Sequence, residues 1–249
     1  MSSAFTNSDG IVLREVKYKE ADRILTILTS DYGKITAKAP GALRKNSKLS
    51  ASTQLLTYSD MSFYANKGRT TVKEAQIKED FKDLRLNFKD YALGCYFAEC
   101  IEMTTQENAP DKKLLQLLLN SLYALSRKMH NPLMIKAAFE MRLISLMGYT
   151  PDVERCPVCG KIKADEPMLC IETGHICCRY CYNSSFGMVE HLDDMSLEAI
   201  KKTISSGAKS FIPEDLNGES LKYFSDASEK YFVNHNGRYP GTLDYWKKL

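Results

Sequence analysis

Gly10-Ile-Val-Leu-Arg-Glu-Val16 and Arg23-Ile-Leu-Thr-Ile-Leu-Thr29 are short and rich in β-branched residues, and the second runs into the turn signal Ser30-Asp-Tyr-Gly33. Lys34-Ile-Thr-Ala-Lys38 returns as a third strand. Pro40-Gly41 breaks it and opens a polar loop that runs to about Ser52. Gln54 to Tyr64 alternates loosely, and Asn66-Lys-Gly68 makes a tight turn into Thr70 to Ile77. Five short strands joined by turns predict a small barrel, for which the five-stranded OB-fold is the candidate.

Near Phe81 the apolar period changes from two to about 3.6. Tyr91, Leu93, Tyr96, Phe97 and Ile101 suit a mostly buried helix, and Leu114, Leu117, Leu118, Leu122 and Leu125 an amphipathic one. Asn131 as N-cap and Pro132 at the first helical position start a third helix, which Gly148 ends. Between Pro151 and Asp194 the helical period gives way to cysteine, glycine and proline, and two further helices are expected near Ser196–Ser206 and Glu219–Asn234. The chain therefore reads as an α+β multidomain protein. A five-stranded OB-fold barrel is expected over residues 1–80, a helical bundle over 81–150 and 195–249, and a ribbon insertion over 151–194.

At 249 residues, 44% apolar and 26% charged, the chain is too apolar for wholesale disorder and long enough to bury a core. No window approaches the roughly 18 unbroken apolar residues of a membrane span. Met1 to Gly10 lacks the basic and apolar regions of a secretory signal, so a cytoplasmic location is expected. The net charge of +3 conceals an asymmetry. Residues 32–73 hold eight basic side chains and one acidic, Asp60, whereas residues 74–249 are slightly acidic.

Six of the eight cysteines fall between Cys156 and Cys181. Cys156-Pro-Val-Cys159-Gly160 and Cys178-Arg-Tyr-Cys181 are two C-x2-C turns at the separation of a zinc ribbon. Two residues between cysteines let both thiolates reach one ion from a tight turn, and two such turns complete a closed, structural four-sulfur site. Cys156, Cys159, Cys178 and Cys181 are the expected ligands of one zinc ion, with Cys170, His175 and Cys177 as rivals. Cys95 and Cys100 belong to an apolar helix and read as core.

From Tyr32 to Ser59 there are five positive charges and no negative ones. Lys34 and Lys38 share parity on one strand, Arg44, Lys45 and Lys48 follow on the loop, and Lys67 and Arg69 flank a turn near Tyr64. A positive surface with an aromatic residue on a small barrel is how single-stranded nucleic acid is held without sequence readout. The competing reading is a solvated basic loop, with Tyr64 in the core.

Phosphate-loop, dinucleotide, zinc-protease and nucleophile-elbow motifs are absent, and His130, His175, His191 and His235 are scattered. The expectation is a protein that is not an enzyme. Two alternatives come from other classes. One is a zinc-dependent nucleic-acid enzyme, which would need an open metal position. The other is an interaction scaffold whose helices do the binding.

Taken in order, these blocks resemble the bacterial RecO recombination-mediator family. The resemblance rests on Gly10-Ile-Val-Leu-Arg14, Glu20-Ala-Asp-Arg-Ile24, Leu28-Thr29, Gly33-Lys34 and Ala39-Pro-Gly-Ala-Leu-Arg-Lys45 with Ser47 and Leu49. It continues through Phe139-Glu140, Leu143, Leu146, Gly148-Tyr149, Pro151 and the cysteine pairs, and becomes diffuse beyond Asp194. The resemblance implies an OB-fold, a helical domain and a zinc ribbon. It also implies a non-enzymatic mediator in recombinational repair that binds single- and double-stranded DNA and anneals strands. With RecR, such a mediator helps load RecA onto strands coated by single-stranded DNA-binding protein, at the nucleoid. A receptor for that protein's acidic, apolar-tipped tail needs a hydrophobic pocket rimmed by cations. Arg127, Lys128, Lys136 and Arg142 on the helical domain are the expected rim.

Overall fold

A computed structural model describes residues 4–214, 216 and 218–249. Five strands, β1 (Ala4–Tyr18), β2 (Asp22–Thr29), β3 (Gly33–Ala39), β4 (Tyr58–Asn66) and β5 (Arg69–Glu79), close a barrel in the order β1-β2-β3-β5-β4. Neighbours are antiparallel except β3 and β5, which meet through a short parallel pairing of Ala37 with Thr70 and Lys38 with Thr71. A register shift between Val12 and Arg14 bends the long β1 so that it pairs with both β2 and β4. Alternation places Val12, Leu25, Ile27, Ala37, Ala39, Met61, Phe63 and Val72 inside, as the five-strand reading requires.

The loop after β3 is less open than its polar composition suggests. It contains a single helical turn, α1 (Leu49–Ser52), and sends Ala42 and Leu49 into the barrel core. Arg23 fixes this turn by donating to the Ser50 carbonyl and to Thr53 Oγ1.

A 3-10 turn at Lys82–Leu86 leads into α2 (Phe88–Thr104) and then α3 (Lys112–Ser126). Asn87 caps α2 by accepting from the Lys89 and Asp90 amides. The chain then forms α4 (Pro132–Leu146), with Asn131 as its N-cap, Pro132 at its start and Gly148 beyond its end at φ +97°. A three-stranded sheet in the order β7-β6-β8 follows, made of β6 (Pro167–Cys170), β7 (Ile176–Cys178) and β8 (Val189–His191). The chain ends with α5 (Asp194–Ser205), α6 (Gly218–Asn236) and α7 (Gly241–Lys247), the last of which has no counterpart in the sequence reading.

The helices fall into two compact units. One holds the barrel, α2 and α3 together with Pro240–Leu249, so that α7 packs on α2 and its Gly241 and Thr242 amides donate to Glu99. The other is Arg127–Tyr239, in which α4 packs against α5 and α6 and the small sheet lies beside α6. None of the described helices is long and apolar enough to cross a membrane.

Candidate nucleic-acid interface and metal centre

The barrel carries a groove of about 530 Å³ on its outer face, lined by Lys48, Leu49, Asp60, Lys73, Glu74 and Gln76 among others. Strand alternation accounts for it. Met61, Phe63 and Val72 point inward, so Asp60, Tyr64 and Lys73 point outward, and Lys48 approaches from the start of α1. Tyr64 is half-buried on this outer face and not in the core, with the Lys73 ammonium 5.1 Å from its ring centroid. Arg44, Lys45, Lys48, Lys67, Arg69 and Lys73 are exposed.

Lys34 and Lys38 also face outward, as their shared parity requires, but both ammoniums have partners within the fold. Lys34 Nζ donates to the Glu102 carbonyl at 2.6 Å, close to the C-terminal end of α2, where a cation also suits the helix dipole. Lys38 pairs with Asp22 at 2.8 Å. That lysine, followed by the Gly41 amide, holds the Asp22 carboxyl below the usual carboxylate range. Lys73 was absent from the sequence-derived set. The signal lay in the strand alternation, because an inward Val72 makes Lys73 outward beside Tyr64 across the hairpin.

In the second unit the four predicted sulfurs come together, all within 4.8 Å of one another. Gly160, at φ +73°, closes the first turn by donating to the Cys156 carbonyl. Cys178 ends β7, and the 3-10 turn Arg179–Cys181 brings Cys181 round to face it. Cys159 Sγ and Cys178 Sγ are 3.7 Å apart. Four sulfurs at the usual zinc–sulfur bond length stand about 3.8 Å apart at the corners of a tetrahedron. Amide donors also point at the sulfurs, the Asp165 N–H reaching Cys178 Sγ at 3.4 Å.

Burial raises the Cys156 thiol, but the backbone N–H groups of Cys159, Cys178 and Val158 outweigh it and bring it to about 6. Cys181, sharing its proton with Cys159, is pushed up to about 12. Four thiolates cannot crowd this space unaided, which is the electrostatic setting a divalent cation resolves. The donor set fits a closed four-sulfur metal site.

The rival ligands lie elsewhere. Cys170 and Cys177 are buried against each other with sulfurs 3.6 Å apart, and His175 packs edge-on to Phe186. Among the described residues, the four-cysteine group is the single cluster with metal-binding geometry.

The expected cationic rim on the helical domain needs correction at Lys136. This side chain is fully buried and clamped between Glu140 and Glu229, each at 2.8 Å, so it borders no open pocket. Burial alone would lower its pKa, but the two carboxylates reverse the sign and raise it. Arg142 closes the C-terminal end of α5 by donating to the Thr203 and Ile204 carbonyls. Arg127 and Lys128 are exposed but lie beyond the last residue of α3, in a turn where Lys128 adopts φ +51°.

Comparison with known proteins agrees with this architecture. A family model described as Recombination protein O N terminal matches residues 1–81, and one described as Recombination protein O C terminal matches 85–241. The DNA repair protein RecO of Acetivibrio thermocellus is 32% identical over 245 residues, spanning 98% of this chain and 97% of the relative. The protein of the same name from Listeria monocytogenes serotype 4b is 25% identical over 241 residues, covering 97% and 93%. That from Alkaliphilus metalliredigens is 32% identical over 70% of this chain and 71% of its own. The barrel, the helices and the cysteine cluster thus fall within a match that spans nearly every residue, and the chain belongs to the RecO family of DNA repair proteins.

Proposed function

We propose that this protein is a non-catalytic, DNA-binding recombination mediator working on single strands at the bacterial nucleoid, in the cytoplasm. The observation that carries the reading is the outer-face groove of the barrel, lined by Lys48 and Lys73 together with Asp60 and Glu74, with the Lys73 ammonium over the Tyr64 ring and the exposed Arg44, Lys45, Lys67 and Arg69 on the same unit. Cations along a groove neutralise phosphates, and a ring beside them offers a sequence-tolerant stacking platform. Of the predicted contacts, the exposed Arg44, Lys45, Lys48, Lys67 and Arg69, joined by Lys73, are the best placed for phosphates, because Lys34 and Lys38 are held by partners in the fold. Neutralising two strands while leaving base edges free would promote annealing, and duplex DNA would be held by the same phosphate contacts.

The four cysteines would hold one zinc ion, whose chemistry there is purely structural, linking two turns that have little apolar surface of their own. A closed sulfur site leaves no position for an activated water, which favours the mediator over a zinc-dependent nuclease or deaminase. Family membership supports three protein partners, namely RecR, RecA in the loading step, and the acidic tail of single-stranded DNA-binding protein. The test is a salt titration of fluorescent single-stranded DNA binding, followed by an annealing assay with complementary strands. Steep salt dependence with little dependence on sequence is the expected result. Salt-independent binding, or none, would leave the scaffold reading in its place.

A further inference from the structure

The barrel unit carries a second surface with the ingredients of the groove. The 3-10 turn and the start of α2 leave Leu86 and Phe88 in solvent, 86% and 60% exposed, and α7 adds Tyr245 at 51%. Phe88 and Tyr245 meet edge-to-face, with ring centroids 5.9 Å apart and planes at 83°. Such a pair covers at most one face of one ring, so flat π-surface stays open to solvent. Lys89 stands over the neighbouring Trp246 ring, 5.8 Å from its centroid, and Lys247 and Lys248 follow directly in sequence.

Charge points the same way. Residues 74–249 are slightly acidic as a whole, yet 82–89 and 244–248 together carry four lysines, Lys82, Lys89, Lys247 and Lys248, against two carboxylates, Asp83 and Asp244. Arg85 is held by the Asp80 and Leu55 carbonyls, and Asp80 and Asp90 flank the first stretch. Lys247 and Lys248 also suit the carbonyl end of α7. That accounts for cations there, but not for three large apolar side chains left in water beside them.

We propose that this surface is a second single-strand binding site, occupied while the barrel groove holds the first strand. The inference rests on the DNA-binding reading above and extends it by giving annealing two sites on one chain. Stacking engages base faces and leaves the pairing edges free, as annealing requires.

The test uses the full chain and two non-complementary single strands carrying a donor and an acceptor dye, with energy transfer reporting simultaneous binding. In a Phe88→Ala/Tyr245→Ala variant, affinity for the first strand should be unchanged and affinity for the second reduced about tenfold. A Lys247→Gln/Lys248→Gln variant should also weaken the second strand and reduce its salt dependence. Unchanged simultaneous binding in both variants overturns the second site. So does loss of binding to an acidic, apolar-tipped peptide with simultaneous strand binding intact, which would make the surface a protein-docking site. If Lys48→Gln/Lys73→Gln leaves first-strand affinity intact, the groove reading fails, and the second surface is then decided by its own variants.

Discussion

Replacing Lys48 and Lys73 with glutamine removes two charges from the groove without touching the barrel core, because both side chains are exposed. Each phosphate contact on a single strand contributes about −0.7 to the slope of log affinity against log salt. Six exposed cations, Arg44, Lys45, Lys48, Lys67, Arg69 and Lys73, thus set an upper slope of about −4. Raising salt from about 50 to 200 mM should then weaken wild-type binding about 300-fold, and binding by the double variant, with a slope of about −2.8, only about 50-fold. Fluorescence anisotropy across four salt concentrations measures both slopes, and thermal melting should show the variant as stable as the parent. Lys34→Gln and Lys38→Gln should leave the slope unaltered, since those ammoniums are held by the Glu102 carbonyl and by Asp22. A double variant with the parental slope, or a Lys38→Gln slope as low as that of the double variant, would refute the assignment.

Three further outcomes are expected. Cys178→Ser should lose its metal by elemental analysis and lower the soluble yield, since the ion links the two cysteine turns. Lys136→Ala should destabilise the chain by about 3–5 kcal/mol in denaturant titration, because it leaves Glu140 and Glu229 without their shared cation, whereas Lys136→Met with Glu140→Leu and Glu229→Gln, which removes the whole ionic cluster, should be much closer to neutral. Asp22 has a folded pKa below its unfolded value of 3.8, so its contribution is complete above that pH and is lost as pH falls through the folded value. The protection factor of the Gly41 amide, which donates to Asp22 at 2.7 Å, taken relative to its intrinsic exchange rate at each pH, should therefore be constant near neutrality and fall selectively in acid.

What the sequence made legible follows from how local each cause is. The barrel strands announce themselves by alternation, and the cysteine turns by a spacing that only a shared ion requires. Asn131, Pro132 and Gly148 bracket α4 with chemistry confined to its ends. Lys136 misled because a lysine among apolar residues on a helix reads as the solvent-facing rim of a pocket. Burial depends on α6 arriving with Glu229, 93 residues later. Lys34 is the same case, since its partner carbonyl lies 68 residues downstream. α7 escaped notice because seven residues give too short a period, and its anchor, Glu99, is remote.

The placement of α7 has a consequence for synthesis of the chain. The barrel unit begins at the N-terminal end and is completed only by Pro240–Leu249, after the whole of Arg127–Tyr239 has been translated. At about 5–20 residues per second, those roughly 110 intervening residues take about 5–20 s to emerge. Throughout that interval Glu99 lacks the α7 amides it accepts from in the finished fold, and the apolar face that Leu243 and Trp246 will cover is open to the cell. Nascent chains stalled before Pro240 thus carry a first-made unit that is still unfinished, and they are the natural clients for chaperones.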